Sequence, residues 1–497
     1  VKDRPASTPP DGTVVTRVAR LRLSTVTAAC GRLARAAIRH DRTRGTAMNR
    51  LRNTIALAVW LGVAATCRAV NPFVTLQYGA DPSAHVFNGR VYVYASHDRN
   101  DAKEFDMTDH HVYSSDDMQN WEDHGPVLDV KDVPWGLSHL WAPDAAFHDG
   151  TYYLCICPRP RPPFTARPIG FATSKSPTGP FVAMPKPLAG VEGIDPSIFI
   201  DDDGQPYIVW AGKGLQMAKL KPDFGGVDGA VVSVKGIAHF FEGPWLFKRN
   251  GTYYMTYAGL MKGGSGQGGQ GQWFSYATAD HPMGPYTFRG DFSRTKPGEG
   301  NIHGSQVEYQ GRWYCFYHDF STSVGRAKHG FKRALRVDEM TFGADGSIND
   351  LKWTDAGPKQ LKWIDAYQRH DAACLAQCDV PEGPHAIDTV RCPDGMALGK
   401  IDDGDWARYA GVDFGAGAAR FTASVAGRAG GAIELHLDAL DGPLIGTCPV
   451  TPSGDTGWRS VSAAVHGATG IHDLYLRFTG GSGGDLFEVE WFQFARS

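Results

Sequence analysis

Asn88-Gly89-Arg90-Val91-Tyr92-Val93-Tyr94 is a turn followed by an alternating, aromatic-rich strand, and the chain repeats it four more times. The later copies are Asp149-Gly150-Thr151-Tyr152-Tyr153-Leu154, Asp203-Gly204-Gln205-Pro206-Tyr207-Ile208-Val209, Asn250-Gly251-Thr252-Tyr253-Tyr254-Met255 and Gln310-Gly311-Arg312-Trp313-Tyr314-Cys315-Phe316. Asn-Gly and Asp-Gly between alternating strands are strong hairpin signals. The glycines recur at intervals of roughly 47 to 61 residues, enough for such a hairpin plus two more strands, which is one propeller blade. Outer-strand segments repeat as well: Ala172-Thr173-Ser174-Lys175-Ser176-Pro177-Thr178-Gly179-Pro180-Phe181 resembles Ala277-Thr278-Ala279-Asp280-His281-Pro282-Met283-Gly284-Pro285-Tyr286. A β-sandwich of similar strand content would not account for five equivalent hairpins. The expected fold is all-β, a five-bladed β-propeller over residues 71–355.

The bulk composition agrees. Glycine is abundant at 60 of 497 residues and aromatics make up 11%, as many short, glycine-punctuated strands require. The net charge of -3 conceals a strongly basic stretch at 1–47 and an acidic remainder, which argues against nucleic acid as a partner and suits a neutral polymer. Met48-Asn49-Arg50-Leu51-Arg52, an apolar run from Thr54 to Ala65 and small residues up to Ala69 have the layout of a secretory signal peptide. Residues 48–70 are therefore read as an export signal and 1–47 as a disordered leader upstream of the true start. The expected location is secreted or periplasmic, with no membrane association after signal cleavage. Export permits disulfides, and one bridge among Cys374, Cys378 and Cys392 is a candidate. Cys155 and Cys157, two apart on one strand, share a face and are not expected to bridge each other.

The residues just upstream of each hairpin carry the chemistry. The five innermost strands begin Ala80-Asp81-Pro82-Ser83, Ala142-Pro143-Asp144-Ala145, Ile194-Asp195-Pro196-Ser197, Phe241-Glu242-Gly243-Pro244 and Ile302-His303-Gly304-Ser305. An ionisable residue occupies nearly the same slot in every blade, six to nine residues before the glycine. Five blades share one axis, so these side chains must crowd together. Carboxylates in one cleft push their pKa values apart, which creates the general acid and general base that glycosidic cleavage uses.

These five motifs, in this order and at blade spacing, resemble glycoside hydrolase family 43 from about Asn71 to Thr354. The resemblance implies that Asp81 is the general base, that Glu242 is the general acid, and that Asp195 raises the pKa of Glu242 and positions it. It also implies that His303 lies near a metal ion, usually calcium, although Ile302 stands where many relatives have a second histidine. A base acting through water implies inversion, with the two carboxyl groups roughly 6.5–9.5 Å apart. Weaker candidates for binding substrate are Trp141, as an apolar platform, its neighbour Asp144, and Arg333 and Arg336, as donors to sugar hydroxyls. For Trp141 the alternative is a core tryptophan, and for the arginines a solvated strand face. The loop Gly263-Gly264-Ser265-Gly266-Gln267-Gly268-Gly269-Gln270-Gly271 lacks the Lys-Ser/Thr ending and following helix of a phosphate loop, and is expected at the cleft rim.

The blade pattern stops after Trp353. Residues 356–367 are read as a linker and 368–497 as a β-sandwich (jelly roll). Ile401-Asp402-Asp403-Gly404-Asp405-Trp406, Thr456-Gly457-Trp458 and Leu486-Phe487-Glu488-Val489-Glu490-Trp491-Phe492 look like strands of carbohydrate-binding module family 6. Val461, Glu488 and Ala373 depart from that family's sugar- and calcium-binding positions, so the module either binds polysaccharide or braces the propeller. The sequence thus points to a monomeric, inverting glycosidase that needs no organic cofactor. It would remove arabinofuranosyl or xylosyl residues from arabinoxylan or a related plant cell-wall polysaccharide. A retaining fructan hydrolase would need motifs that are absent, and a non-catalytic sugar-binding propeller would be favoured by loss of an axial carboxylate.

Overall fold

A computed structural model describes residues 70–496, except 261–271, 295–300, 322–330, 380–386, 428, 454–456 and 482–483. The basic leader, the export segment and the glycine-rich loop 263–271 lie outside the described residues. Among the described residues, no helix is long and apolar enough to cross a membrane.

The hairpin signals act as expected on the backbone. Asn88, Asp149, Asn250 and Gln310 have φ near +50°, and the glycine after each has φ between +71° and +80°. Two consecutive left-handed residues make the two-residue turn whose twist matches a β-hairpin, and glycine takes the second place without steric cost. Strand pairing accordingly runs from Phe87 to Arg90, His148 to Thr151, Arg249 to Thr252 and Tyr309 to Arg312. The third hairpin differs. Ile200 pairs with Pro206, and the intervening loop folds on itself through Gly204 N–H to Asp201 C=O at 2.8 Å.

Each hairpin heads one antiparallel sheet. Blade 1 comprises Tyr78–Phe87, Arg90–Asp98, Asp109–Ser115 and Trp121–Asp129; blade 2 comprises Gly136–His148, Thr151–Pro160, Gly170–Ser174 and Val182–Ala183. Blade 3 comprises Ile194–Ile200, Pro206–Gly212, Gly214–Leu220 and Val227–Ser233; blade 4 comprises Phe240–Arg249, Thr252–Leu260, Gln272–Ala279 and Thr287–Arg294. Blade 5 has three strands among the described residues, Gly304–Tyr309, Arg312–Asp319 and Ala334–Met340. The first strand of each blade touches the first strand of the next, and the fifth returns to the first, closing the ring.

Alternation distributes the core into five wedges between blades. In blade 1, Val91, Val93 and Ala95 pack against Tyr314, Phe316, Leu335 and Val337 of blade 5, while Tyr94 faces Leu154 and Phe181 of blade 2. Cys315 and Tyr317, one residue out of step with Tyr314 and Phe316, face Trp245 and Phe274 of blade 4 instead. This is the period-two geometry of a strand buried on both faces. The closing seam is polar as well: Asn71 accepts from the Val337 N–H at 2.9 Å and donates to the Val337 C=O at 2.8 Å.

The C-terminal part is a sandwich of two sheets around one core that includes Tyr409, Phe421, Leu435, Leu476 and Phe492. It begins earlier than the linker boundary implied, because Ile364–Asp365 already pairs in parallel with Val412 and Asp413. Cys374–Leu375 instead extends the outer edge of blade 1, pairing with Glu122 and Trp121. Asn120 of the propeller accepts from the Ala410 N–H at 2.8 Å and donates to the Ala410 C=O at 3.0 Å. The candidate bridge among the three cysteines does not form. Cys374 and Cys392 lie on different strands, Cys378 is buried against the Thr75 hydroxyl at 3.3 Å, and all three thiols are free. Asn120→Ala should leave the buried backbone groups of Ala410 without their propeller partner and destabilise the protein by about 1–3 kcal/mol. Denaturant unfolding monitored by tryptophan fluorescence checks this; an unchanged midpoint would mean that the seam contributes nothing.

Candidate functional site

The inner strands do not run straight into the channel. Pairing slips between Ala80 and Ser83 in blade 1, twice between Ser138 and Asp144 in blade 2, and between Glu242 and Trp245 in blade 4. Such bulges re-aim the side chains beside them. Asp81 sits at the blade 1 break and Asp195 at a further one in blade 3, between Ile194 and Ser197, both in the left-handed region with φ of +53° and +54°. Non-glycine residues reach that region at a steric cost, and strain of this kind gathers where a side chain must point in a special direction.

Asp81, Asp195, Glu242 and His303 meet in one cluster, the two aspartates buried and Glu242 and His303 partly exposed. Asp81 Oδ1 accepts from Arg333 Nη1 at 3.0 Å and lies 3.5 Å from His303 Nδ1, while Oδ2 accepts from the Ser96 hydroxyl at 2.9 Å. Burial alone would raise its pKa, but Arg333 first and then His303 outweigh it and hold the carboxyl far below the usual range. Asp195 Oδ2 accepts from the Gly243 N–H at 3.0 Å. Burial raises the Asp195 pKa, with His303 opposing and Asp81 adding to the rise. Glu242 Oε1 accepts from Gln272 at 3.1 Å and from Asn301 at 3.0 Å. Burial, reinforced by the negative charge of Asp195, pushes Glu242 up to about 8. His303 is pushed up to about 9, because Asp195, Asp81 and Glu242 together overcome the burial that would lower it. The left-handed Gly243, with φ of +60°, passes so close to this imidazole that a Cβ would stand 3.0 Å from the ring.

Arg333, expected to donate to sugar hydroxyls, instead bonds Asp98, Asp81 and Asn301, and those partners carry no local signal in the sequence. Arg333 grips Asp98 through Nε and Nη2, both at 2.9 Å, and stacks on Phe105. His318, fully buried, accepts from the Asp81 N–H at 3.0 Å and reaches Asn301 Oδ1 at 2.7 Å through its other nitrogen. Asn301 therefore links the Asp81 side of the cluster to Glu242.

The remaining candidates separate. Trp141 is partly buried against the core between blades 2 and 3, under the guanidinium of Arg167, which is 3.8 Å above its ring, and donates its indole N–H to the Phe105 C=O. Asp144 is not presented for binding. It is buried and accepts from Ser83, from the Ala145 N–H at 2.7 Å and from the Ile198 N–H at 2.5 Å, with His85 at 2.6 Å. Arg336 is neither a solvated side chain nor part of the cluster. It is buried at the ring closure, bonding Asp319 at 3.0 Å and the Thr354 C=O and Asp355, both at 2.9 Å. It lies three positions after Arg333, which places the two on opposite faces of the chain.

A calcium ion beside His303 would draw most of its ligands from water. Calcium takes about six to eight oxygen ligands. Among the described residues, His303 belongs to no group of three metal-binding donors, and Asp81 is already committed to Arg333. As arranged, the cluster can hold one carboxyl ionised and another protonated in the same buried space, which suits acid–base chemistry across a bond.

Comparison with known proteins bears on both parts of the chain. Residues 69–348 match the family model of glycosyl hydrolases family 43, and residues 382–496 match that of carbohydrate binding module family 6. An arabinoxylan arabinofuranohydrolase of Bacillus subtilis is 32% identical, over 86% of this chain and 92% of its own. The crystal structure of a family 43 arabinoxylan arabinofuranohydrolase from Bacillus subtilis, in complex with cellotetraose, superposes with a TM-score of 0.76 at 31% identity. That match covers 87% of this chain and 98% of the other. A β-xylosidase/α-arabinofuranosidase of the family from a compost metagenome, solved with xylotriose in a calcium-free form, matches 56% of this chain and 96% of its own. Its TM-score is 0.51 and its identity 35%.

Arg333→Leu should leave the buried carboxylates of Asp98 and Asp81 unpaired and cost about 3–5 kcal/mol of stability. A thermal melt and a urea titration of the variant check this; a loss under about 1 kcal/mol would mean that the cluster does not depend on the guanidinium.

Proposed function

Because the chain belongs to glycosyl hydrolases family 43, we propose that the Asp81–Asp195–Glu242 cluster hydrolyses glycosidic bonds with inversion and removes arabinofuranosyl or xylosyl residues from arabinoxylan. The observation that carries this reading is the contrast between two carboxyl groups in one site: Asp81 accepts from the Arg333 guanidinium at 3.0 Å and is held far below the usual range, whereas Glu242 accepts from the neutral Gln272 and Asn301 and is pushed up to about 8 by burial and Asp195. Asp81 is the general base. It accepts a proton from water as that water attacks the anomeric carbon. Glu242 is the general acid and gives its proton to the leaving oxygen as the carbon–oxygen bond breaks. Water enters opposite the departing group, so the anomeric configuration inverts.

A carboxylate stabilised as strongly as Asp81 is a weak base. Much of its contribution is therefore to orient the water and to set a negative field at the oxocarbenium-like centre. Asp195 keeps the acid protonated, and its own carboxylate is fixed by the Gly243 N–H. Trp141, stiffened by Arg167, offers an apolar face for a pentose ring. Two relatives are named for action on arabinoxylan and for combined xylosidase and arabinofuranosidase activity, which supports a pentose substrate. The C-terminal module acts first as a brace in this reading, since it completes the edge of blade 1. A plant cell-wall polymer as substrate places the enzyme outside the cytoplasm.

Asp81→Ala and Glu242→Ala should each lower kcat on nitrophenyl arabinofuranoside or xyloside by about 100- to 10,000-fold in folded protein. NMR of the first-formed sugar should show the inverted anomer; a retained anomer, or a folded variant of near wild-type rate, would remove the assignment. The acid must be protonated, so kcat/KM should fall as pH rises through the raised pKa of Glu242. Asp195→Asn removes a neighbouring negative charge and should move this basic limb to lower pH. A limb that stays in place would show that Asp195 does not tune Glu242.

A further inference from the structure

A second cluster lies in blade 1, and nothing in the hydrolytic reading uses it. Ala95 pairs with His111 and Ser96 with His110, so His97 and Asp109 fall one rung further along, on the same face as His111. His97 Nδ1 stands 2.8 Å from Asp109 Oδ1, and His111 Nε2 stands 3.3 Å from the same oxygen. The two imidazole rings are 4.5 Å apart, and one donor atom from each of the three residues fits within 4.8 Å of the others.

We propose that His97, Asp109 and His111 form a binding site for a divalent transition metal of the zinc type. Ligand atoms about 2.0–2.1 Å from a tetrahedral ion stand about 3.3 Å from one another. Two of the three spacings in blade 1, 2.8 and 3.3 Å, are already close to that, and the third is within 4.8 Å. Two imidazoles and one carboxylate are a donor set for zinc and its neighbours rather than for calcium or magnesium, which prefer all-oxygen shells. Three protein ligands leave a fourth position for water.

The surroundings supply what such a site needs beyond its ligands. A histidine on a metal usually directs its second ring nitrogen to a carboxylate, which fixes the ring. His111 Nδ1 is buried without a hydrogen bond in the structure, and Asp123 Oδ1 lies 3.5 Å away. Asp123 is itself fixed by the Thr389 hydroxyl of the C-terminal module at 2.5 Å and by the Gly125 N–H at 2.8 Å. Side-chain exposure falls from 22% at His97 and 17% at Asp109 to 4% at His111, so an ion can enter from the His97 side and meet a fixed ligand at the bottom. His97 and Asp98 are adjacent on one strand and point to opposite faces. The ion would thus tie the strand that carries Asp98, the anchor of Arg333, to the rest of blade 1 and through Asp123 to the module.

The test is a calorimetric titration of zinc chloride into full-length protein stripped with a chelator and desalted. One equivalent should bind with micromolar or tighter affinity. His97→Ala and Asp109→Asn should each weaken it at least about tenfold, and Asp123→Asn by about 10- to 100-fold. The first two positions are partly exposed and decide the matter even if the buried His111→Ala variant fails to fold. Cobalt(II) in place of zinc should give the visible bands of a four-coordinate ion, absent in His97→Ala. His303→Ala should keep the equivalent, which separates this site from the carboxylate cluster. No binding in the unmodified protein, or binding that survives both His97→Ala and Asp109→Asn, would overturn the proposal.

Discussion

Carboxylates gathered around one axis repel one another and lose hydration, and two basic side chains, Arg333 and His303, sit among them to offset this. Arg333 is held by two parallel bonds to Asp98 and spends its remaining nitrogen on Asp81 and Asn301. His303 lies within the field of Asp195, Asp81 and Glu242. With both cations in place, Asp81 stays charged, and the negative potential left over falls on Glu242, which keeps its proton. One arrangement therefore sets both protonation states. In the proposed mechanism the acid and the base are not two separately tuned residues. They are two ends of a single charge balance, and Asn301, bonded to Glu242, Arg333 and His318, is the polar link between them.

Delivering these groups to one point is a backbone problem before it is an electrostatic one. A regular strand would alternate its side chains between the two neighbouring blades, as Val91, Tyr92, Val93 and Tyr94 do. Neither direction leads to the channel mouth. The bulges and left-handed residues at Asp81 and Asp195 break the alternation where the axis is reached. Gly243 serves the same end in blade 4, where its missing side chain makes room for His303 and its N–H points at Asp195. The packed wedges between blades hold the ends of each inner strand, so the strain at these breaks is borne by the closed ring.

This division explains what the sequence made legible. The hairpins are local, written in Asn-Gly and Asp-Gly pairs, and five copies of one signal left little choice of fold. The slot of the axial residues followed from the repeat. Asp144 shows the limit of that logic: it stands six residues before its glycine where Asp81 and Asp195 stand eight and nine, and the shorter offset leaves it below the mouth, bonded to Ser83 and the Ile198 N–H. Arg333 and Arg336 looked equivalent because nothing local says which face of a short strand meets the axis and which meets the ring closure. Asp98, His318 and Gln272 left no mark, since their partners lie on other strands, up to 237 residues away for His318 and Asp81. Positive φ at a non-glycine residue is equally silent.

The C-terminal module belongs in the same account. Blade 1 carries Asp81, Ser96 and Asp98, so movement of this blade disturbs the base and the anchor of its arginine together. Its outer strand would be an open edge, and an open edge frays and invites pairing with other chains. Cys374–Leu375 covers that edge, Asn120 and Ala410 exchange two hydrogen bonds beside it, and Thr389 fixes Asp123 behind His111. The positions where the module departs from its family fit this use of the surface. Ala373 is buried, and its C=O accepts from the Asp123 N–H at 3.3 Å; Val461 packs against the sandwich core. Both residues are thus contacts with the propeller or filling for the sandwich. The module thereby reaches the hydrolytic centre through the stiffness of one blade.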